Sequence, residues 1–494
     1  MTGPGSKDAK ARKSPPAKQE PNQASQDSPG ISDMDLIKSL QHTERDVFYS
    51  TYWEDACLPA VHPMFRSISF SAWDRPMLRD AILALSSCHL SRLNPDRRDS
   101  SSSNIVHTGT FSPSLVHQTR SQLYYSSAIK KFISLNRKDY HSDAMIAFTV
   151  IISFAYIECS VGNFQGFYCH VQGLANSVME LREAIGDTTL KALLAAWMQV
   201  RYVVWWARVY FSTLDVHREL PSVALPKQLE GSFESIQERR VMALNIMCES
   251  HRLNYKEALS HWSNQFECNE LNYLQLAEEA KKSDEWLLHL PPSEQPLDSS
   301  DPGFNLGDSN APIYFQTHDA SLNFAYYVVG RIMQCTGSLR ELQNQNPHQY
   351  EYTCNEEEPW VRLLLQIAKG TNIQTSISRN SYTIGFSGLL LAAILRSQSL
   401  SLSIEIQEWL ETLQNMQPTE EGAFPVYQNL GVVKAIIYQR MMGREIYGVT
   451  LPVDDGGGTP KFTAYNSQPI STLLFHGRFR VSSRFFTECV FIGL

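Results

Sequence analysis

Two apolar stretches constrain this chain more than any other feature. Fourteen residues between Asp143 and Glu158, and sixteen between Arg379 and Arg396, contain no Asp, Glu, Lys or Arg. A membrane-spanning helix wants about 20 predominantly apolar residues. Both runs fall short and both contain Ser and Thr, so no membrane association is expected. They read instead as helices buried on every side, which requires a large core around them. At 494 residues and 43% hydrophobic content the chain is long enough to supply one.

The rest of the chain repeats the helical pattern. Asp33 or Ser32 can cap a first helix, and Leu36, Ile37, Leu40, Val47, Phe48 and Trp53 follow at loosely helical spacing. A second helix is expected at 74–93, with Pro76 in its first turn and Asn94-Pro95 as its stop. Further helices are expected at 118–136, 142–159, 164–185, 188–213, 235–266, 270–290, 313–338, 357–376, 381–397, 401–416 and 422–447. Residues 291–312, with five prolines and two glycines, form an internal linker candidate. No run alternates with period two between hairpin turns, and no fixed-period repeat is visible. The expected fold is therefore all-α: a single large body of roughly a dozen helices over 35–448. An irregular tail is expected over 449–494.

Residues 1–34 differ in composition, being rich in Pro, Ser, Gln, Asn and Lys, and are expected to be disordered. Within 1–20, Lys7, Lys10, Arg12, Lys13 and Lys18 stand against Asp8 and Glu20, a balance of +3. The whole chain carries −8, so the remainder carries −11. Such a body does not coat nucleic acid by charge. The five basic residues read either as a nuclear-import cluster or as a solubilising tail. Ser14-Pro15 is a natural phosphorylation site, which would reduce the local positive charge. The N-terminus has no apolar signal region, so the nine cysteines are expected to be reduced, buried thiols.

The search for chemistry is mostly negative. No C-x2-C pair offers the short spacing of a structural zinc site. Cys88-His89 and Cys169-His170 are adjacent on helices, where neighbours point about 100° apart and cannot readily share a metal. His89 and His170 therefore read as hydrogen-bonded core or boundary residues. Glu158 reads as a helix-end charge at the surface or paired to arginine, with a buried carboxylate as the alternative. Gly385-Phe386-Ser387-Gly388 misses the nucleophile-elbow spacing by one place and reads as packing. Asp454-Asp455 is followed by three glycines and reads as a turn. No enzyme is expected. The alternative is an all-α enzyme or metabolite-binding protein whose cavity is lined by Trp197, Tyr202, Trp205, Trp206, Tyr210 and Phe211.

The run Pro76-Met77-Leu78-Arg79-Asp80-Ala81-Ile82-Leu83-Ala84-Leu85-Ser86-Ser87-Cys88-His89-Leu90 resembles the fungal-specific transcription factor regulatory domain, or middle homology region. His62-Pro63-Met64-Phe65 before it, and Leu123-Tyr124-Tyr125-Ser126-Ser127-Ala128-Ile129 after it, extend the likeness. So do Glu158, Gly162, His170-Val171-Gln172-Gly173 and Trp205-Trp206-Ala207-Arg208. The likeness covers roughly 35–450 and is clearest over 60–210. It implies an all-helical regulator in the nucleus, controlling RNA polymerase II transcription of a metabolic or secondary-metabolite gene set. Its partners would be the transcription machinery or other regulators, with a homodimer and a small-molecule effector left open. Relatives usually carry an N-terminal zinc cluster with a C-x2-C-x6-C core, whereas the first cysteine here is Cys57. No cofactor is thus expected in this chain, because the zinc would belong to that missing DNA-binding domain. DNA contact is expected to be indirect, through a partner; the alternatives are weak binding by the tail or a cluster encoded upstream.

Overall fold

A computed structural model describes residues 42–70, 72–93, 96–97, 111–135, 144–161, 166, 169–170, 187–210, 212–218, 220–262, 270–297, 311–343, 356–416, 420–422, 424–452 and 472–492. The basic cluster of Lys7, Lys10, Arg12, Lys13 and Lys18 lies outside these residues. So do most of the helix expected at 164–185, and Asp454-Asp455.

The body is helical, as expected. Its N-terminal layer holds α1 (His42–Tyr52), which runs into a π-helical turn at Trp53–Cys57, then α2 (Met64–Ser69), α3 (Pro76–Leu93), α4 (Leu115–Ile133), α5 (Ala144–Val161) and α6 (Asp187–Tyr210). After α7 (Leu214–Arg218) comes the long α8 (Ile236–Ser260), which packs against α6, α9 (Glu270–Leu288) and α10 (His318–Gln334). The C-terminal half adds α11 (Gly337–Gln343), α12 (Glu358–Gly370), α13 (Ile373–Arg379), α14 (Phe386–Ile394), α15 (Leu400–Asn415) and α16 (Val426–Met441). Two minimal antiparallel ladders join β1 (Asp96–Arg97) to β2 (Phe111–Ser112) and β3 (Glu420–Glu421) to β4 (Phe424–Pro425).

Local chemistry explains several boundaries. Ser235 caps α8 by accepting the Glu238 N–H at 3.2 Å, while the Glu238 carboxylate takes the Ser232 hydroxyl at 2.7 Å and the Glu234 N–H at 3.0 Å. Burial raises the pKa of that carboxylate, but these donors outweigh it and the net shift is downward. Thr317 caps α10 through the Ala320 N–H at 3.1 Å. The expected helix at 357–376 is two helices, because Asn372 starts a new one by accepting the Thr375 N–H at 3.0 Å.

Both apolar runs are largely buried, but the second is helical only over Phe386–Ile394, short of the expected 381–397. The first extends past its 14 uncharged residues into the 18-residue α5, which, against expectation, is long and apolar enough to cross a membrane, yet 83% of it is buried inside the body. Every residue of α14 is buried. One continuous core runs from Trp53 to Ile492 and includes Trp286, Leu290, Ile313 and Leu322 from both sides of the proposed linker. Residues 298–310 of that linker lie outside the described set, but its flanks are tied together by the Leu297 N–H bonded to Tyr314 O at 3.0 Å.

The C-terminal expectation fails. Residues 449–494 are not wholly irregular, and the helix expected to 447 ends at Met441. An antiparallel sheet of β5 (Arg444–Thr450), β6 (Thr472–Phe479) and β7 (Phe485–Phe491) follows, in that order. Its strands lack a period-two signal for physical reasons. Residues 446–450 of β5 are all buried, so no polar face alternates. The β6–β7 turn has no glycine; Ser483 takes its positive φ of 53° instead.

Candidate functional site

Three positions that carry the family likeness come from separate segments and meet. Tyr125 on α4 donates its hydroxyl to the Glu158 carboxylate on α5, and His170 Nε2 lies 2.9 Å from the same hydroxyl. His170 Nε2 also stands 3.8 Å from Glu158 Oε1. Glu158 is therefore not a surface or arginine-paired charge; it is a buried carboxylate held by a phenol and an imidazole. Burial, then the carboxylate itself, push the Tyr125 pKa upward and keep the hydroxyl a donor. At a different interface of the same helix, Asp80 accepts the Ser127 hydroxyl at 2.6 Å and pairs with Lys131. Asp80 thus bridges α3 and α4 across a helix interface. His89 is buried, with Nδ1 at 2.8 Å from the Tyr52 hydroxyl, as a core histidine should be.

Sequence reasoning missed a densely connected buried carboxylate, Glu421. The β3–β4 turn delivers its carboxylate, fully buried, to the N-terminus of α14. There it accepts the Phe386 N–H at 3.0 Å, the Ser387 N–H at 2.8 Å, the Ser376 hydroxyl at 2.7 Å and the Asn380 amide at 2.8 Å. The glycine-serine near-miss is thereby explained. Gly385 lacks a side chain because a Cβ there would lie 2.4 Å from the Glu421 oxygens. Ser387 is buried, donates to Glu421 O at 3.2 Å and receives the Asn429 amide at 3.2 Å. Its hydroxyl is thus engaged within the core.

The opposite end of α14 carries cations. Arg440 donates to Ile394 O and to the Ser403 hydroxyl, and Arg396 donates to Leu395 O at 2.9 Å and Tyr447 O at 2.8 Å. Burial lowers both guanidinium pKa values, that of Arg440 to about 10. The Arg396 Nε and Nη2 atoms have no hydrogen-bond partner, and the group lies 4.9 Å from the centre of the Tyr255 ring. A carboxylate at the N-terminus and two guanidiniums at the C-terminus match the helix dipole in sign. This is how a short helix with no polar face satisfies its end groups away from water.

A second buried pair, Arg92 with Glu420, sits one residue from that capping carboxylate. Burial alone disfavours the Arg92 charge, but Glu420 outweighs it and the net shift is upward. Arg92, Tyr156, Cys159, Ser160, Ser381 and Tyr382 border a cavity of about 10 Å³, the space of a single water. The α6 aromatics are core: Tyr202, Trp206 and Tyr210 are buried, and the Tyr210 hydroxyl lies 2.6 Å from His251 Nε2. Cys57, Cys88 and Cys248 are buried thiols, and burial raises Cys88 to about 11. Cys169 and Cys489 are exposed, so the expectation of burial holds only in part. Among the described residues no group of three or more His, Cys, Asp or Glu is arranged to hold a metal. Compared with family models, curated proteins and solved structures, the chain matches none of them.

Proposed function

We propose that this chain is the helical regulatory body of a fungal transcription regulator, acting in the nucleus through protein partners. The observation that carries this reading is the convergence of Tyr125, Glu158 and His170. These positions were singled out from sequence as parts of one family pattern, and they form one hydrogen-bonded cluster. Supporting it, the blocks at 76–90, 123–129 and 205–208 lie on α3, α4 and α6, and α3 packs on α4 and α5, and α5 on α6. The −11 charge of the residues after 20 suits protein contacts better than DNA coating. Control of a metabolic or secondary-metabolite gene set belongs to the same proposal.

The test joins the full chain to a heterologous DNA-binding domain and reads a reporter, with tagged protein followed by microscopy. A several-fold change in reporter output and nuclear signal are expected. Replacing Lys7, Lys10, Arg12, Lys13 and Lys18 by Ala should move the signal to the cytoplasm. An unchanged reporter with a cytoplasmic parent protein would sink the reading. Specific gel shifts by the purified chain alone would overturn indirect DNA contact.

A further inference from the structure

The outer edge of β7 has the chemistry of an unfinished sheet. The Phe479 N–H bonds Arg484 O at 3.0 Å, and directly opposite pairs then run from Arg478 with Phe485 to Thr472 with Phe491. Bonded and non-bonded pairs alternate along an antiparallel ladder. Counting from Phe479, the residues Phe486, Glu488 and Val490 turn their backbone groups towards β6. Phe485, Thr487, Cys489 and Phe491 turn theirs outward, where they have no partner among the described residues. Thr487, Cys489 and Phe491 are also exposed. Edges of this kind are normally blunted by lysine, proline, a bulge or brevity. The strand Phe485-Phe486-Thr487-Glu488-Cys489-Val490-Phe491 has no lysine or proline, and its register with β6 is unbroken.

We propose that β7 pairs antiparallel with the β7 of a second copy of this chain, about a two-fold axis at Glu488. Two three-stranded sheets would then become one of six strands. The strand matches itself under that rotation: Phe485 falls opposite Phe491, Phe486 opposite Val490, and Thr487 opposite Cys489. Aromatic and β-branched neighbours across strands are favourable. The two Glu488 side chains meet at the axis, but each is already paired with Arg444 of its own chain. The axis therefore gathers two carboxylates and two guanidiniums, with no net charge. This self-match selects a second copy over an unrelated strand. The outward residues Thr487 and Cys489 form the hydrogen-bonded pairs beside the axis. The proposal stands on the edge geometry and not on the transcriptional reading.

Sedimentation of the full chain tests it. A concentration-dependent doubling of mass is expected, and Cys489→Pro should abolish it. Proline there removes an outward N–H while sparing the β6 ladder. If that variant loses its native circular dichroism, Phe491→Lys serves in its place. Independently, Thr487→Cys should place its thiol opposite Cys489 of the second copy, at the Cα separation of about 5.5 Å that a disulfide accepts. Diamide, taking up the two protons and two electrons, should then give a covalent dimer on a non-reducing gel, lost again with Cys489→Ser. A monomer at all concentrations would overturn the proposal. So would a dimer indifferent to both edge variants, or an edge occupied by another protein's peptide.

Discussion

At the scale of single residues, the buried charges divide into two kinds. Glu421 is satisfied by four donors, and removing it leaves those donors orphaned in the core. Glu421→Ala should cost about 3–5 kcal/mol, and Glu421→Gln, which keeps an acceptor, about half as much. Urea unfolding measures both, with the exposed Glu54→Ala as the reference. A Glu421→Ala midpoint equal to that reference would refute the capping role. Arg396 is the opposite case: a buried guanidinium with two nitrogens unpartnered. Replacing such a charge with an apolar side chain of similar length often changes little, so Arg396→Met should shift stability by no more than about 1 kcal/mol. A loss as large as that of Glu421→Ala would mean its two carbonyl bonds dominate.

At the scale of elements, α14 shows what a fully apolar helix demands of its surroundings. It packs against α10, α12, α15 and α16, so both ends lie in protein. Its N-terminal approach is set by Gly385 facing Glu421, and by Gly422 at φ +71° in the β3–β4 turn. Gly385→Ala should cost about 3 kcal/mol through the forced contact with the carboxylate. In the Glu421→Ala background the clashing atoms are gone, and the same change should cost under about 1 kcal/mol. A double-mutant cycle reads this coupling directly. Additive costs would show that the two residues act separately.

At the scale of the whole molecule, burial of several imidazoles sets the pH response. Burial, then Arg240, hold His62 at about 3; burial, then Arg92, hold His89 at about 3; burial, then Arg396, push His251 well below its usual value. These groups stay neutral in the fold but take up protons when unfolded below about pH 6.5. Stability is therefore full above that pH and falls as pH drops towards the folded values. Each contributes a slope of about 1.4 kcal/mol per pH unit. Urea unfolding at about pH 7.5, pH 6.5 and pH 5.5 should show the fall, and His89→Gln should remove one histidine's share of the slope. The C-terminal sheet belongs to the same cooperative unit. Tyr255 of α8 donates to Val449 O at 3.3 Å and receives the Val449 N–H at 3.1 Å, while the Trp262 indole donates to Phe486 O at 2.8 Å. Truncation after Gly443 should abolish the cooperative unfolding transition; a sharp transition near the parent midpoint would show the sheet to be an appendage.

The sequence by itself determined the class of the fold and the burial of its two apolar helices. Composition and 3.6-residue periodicity are local properties, and burying those runs allows few alternatives. Nothing in the sequence revealed that Tyr125, Glu158 and His170 touch. The sheet escaped because β5 is buried without alternation and because a serine makes the turn. Glu421 escaped because nothing within a helical period links it to Phe386, thirty-five residues earlier. A buried helix announces in sequence that its ends need partners, but not which residues supply them. Only tertiary structure brings a carboxylate to one end and two guanidiniums to the other, because that match depends on how distant segments cross in space.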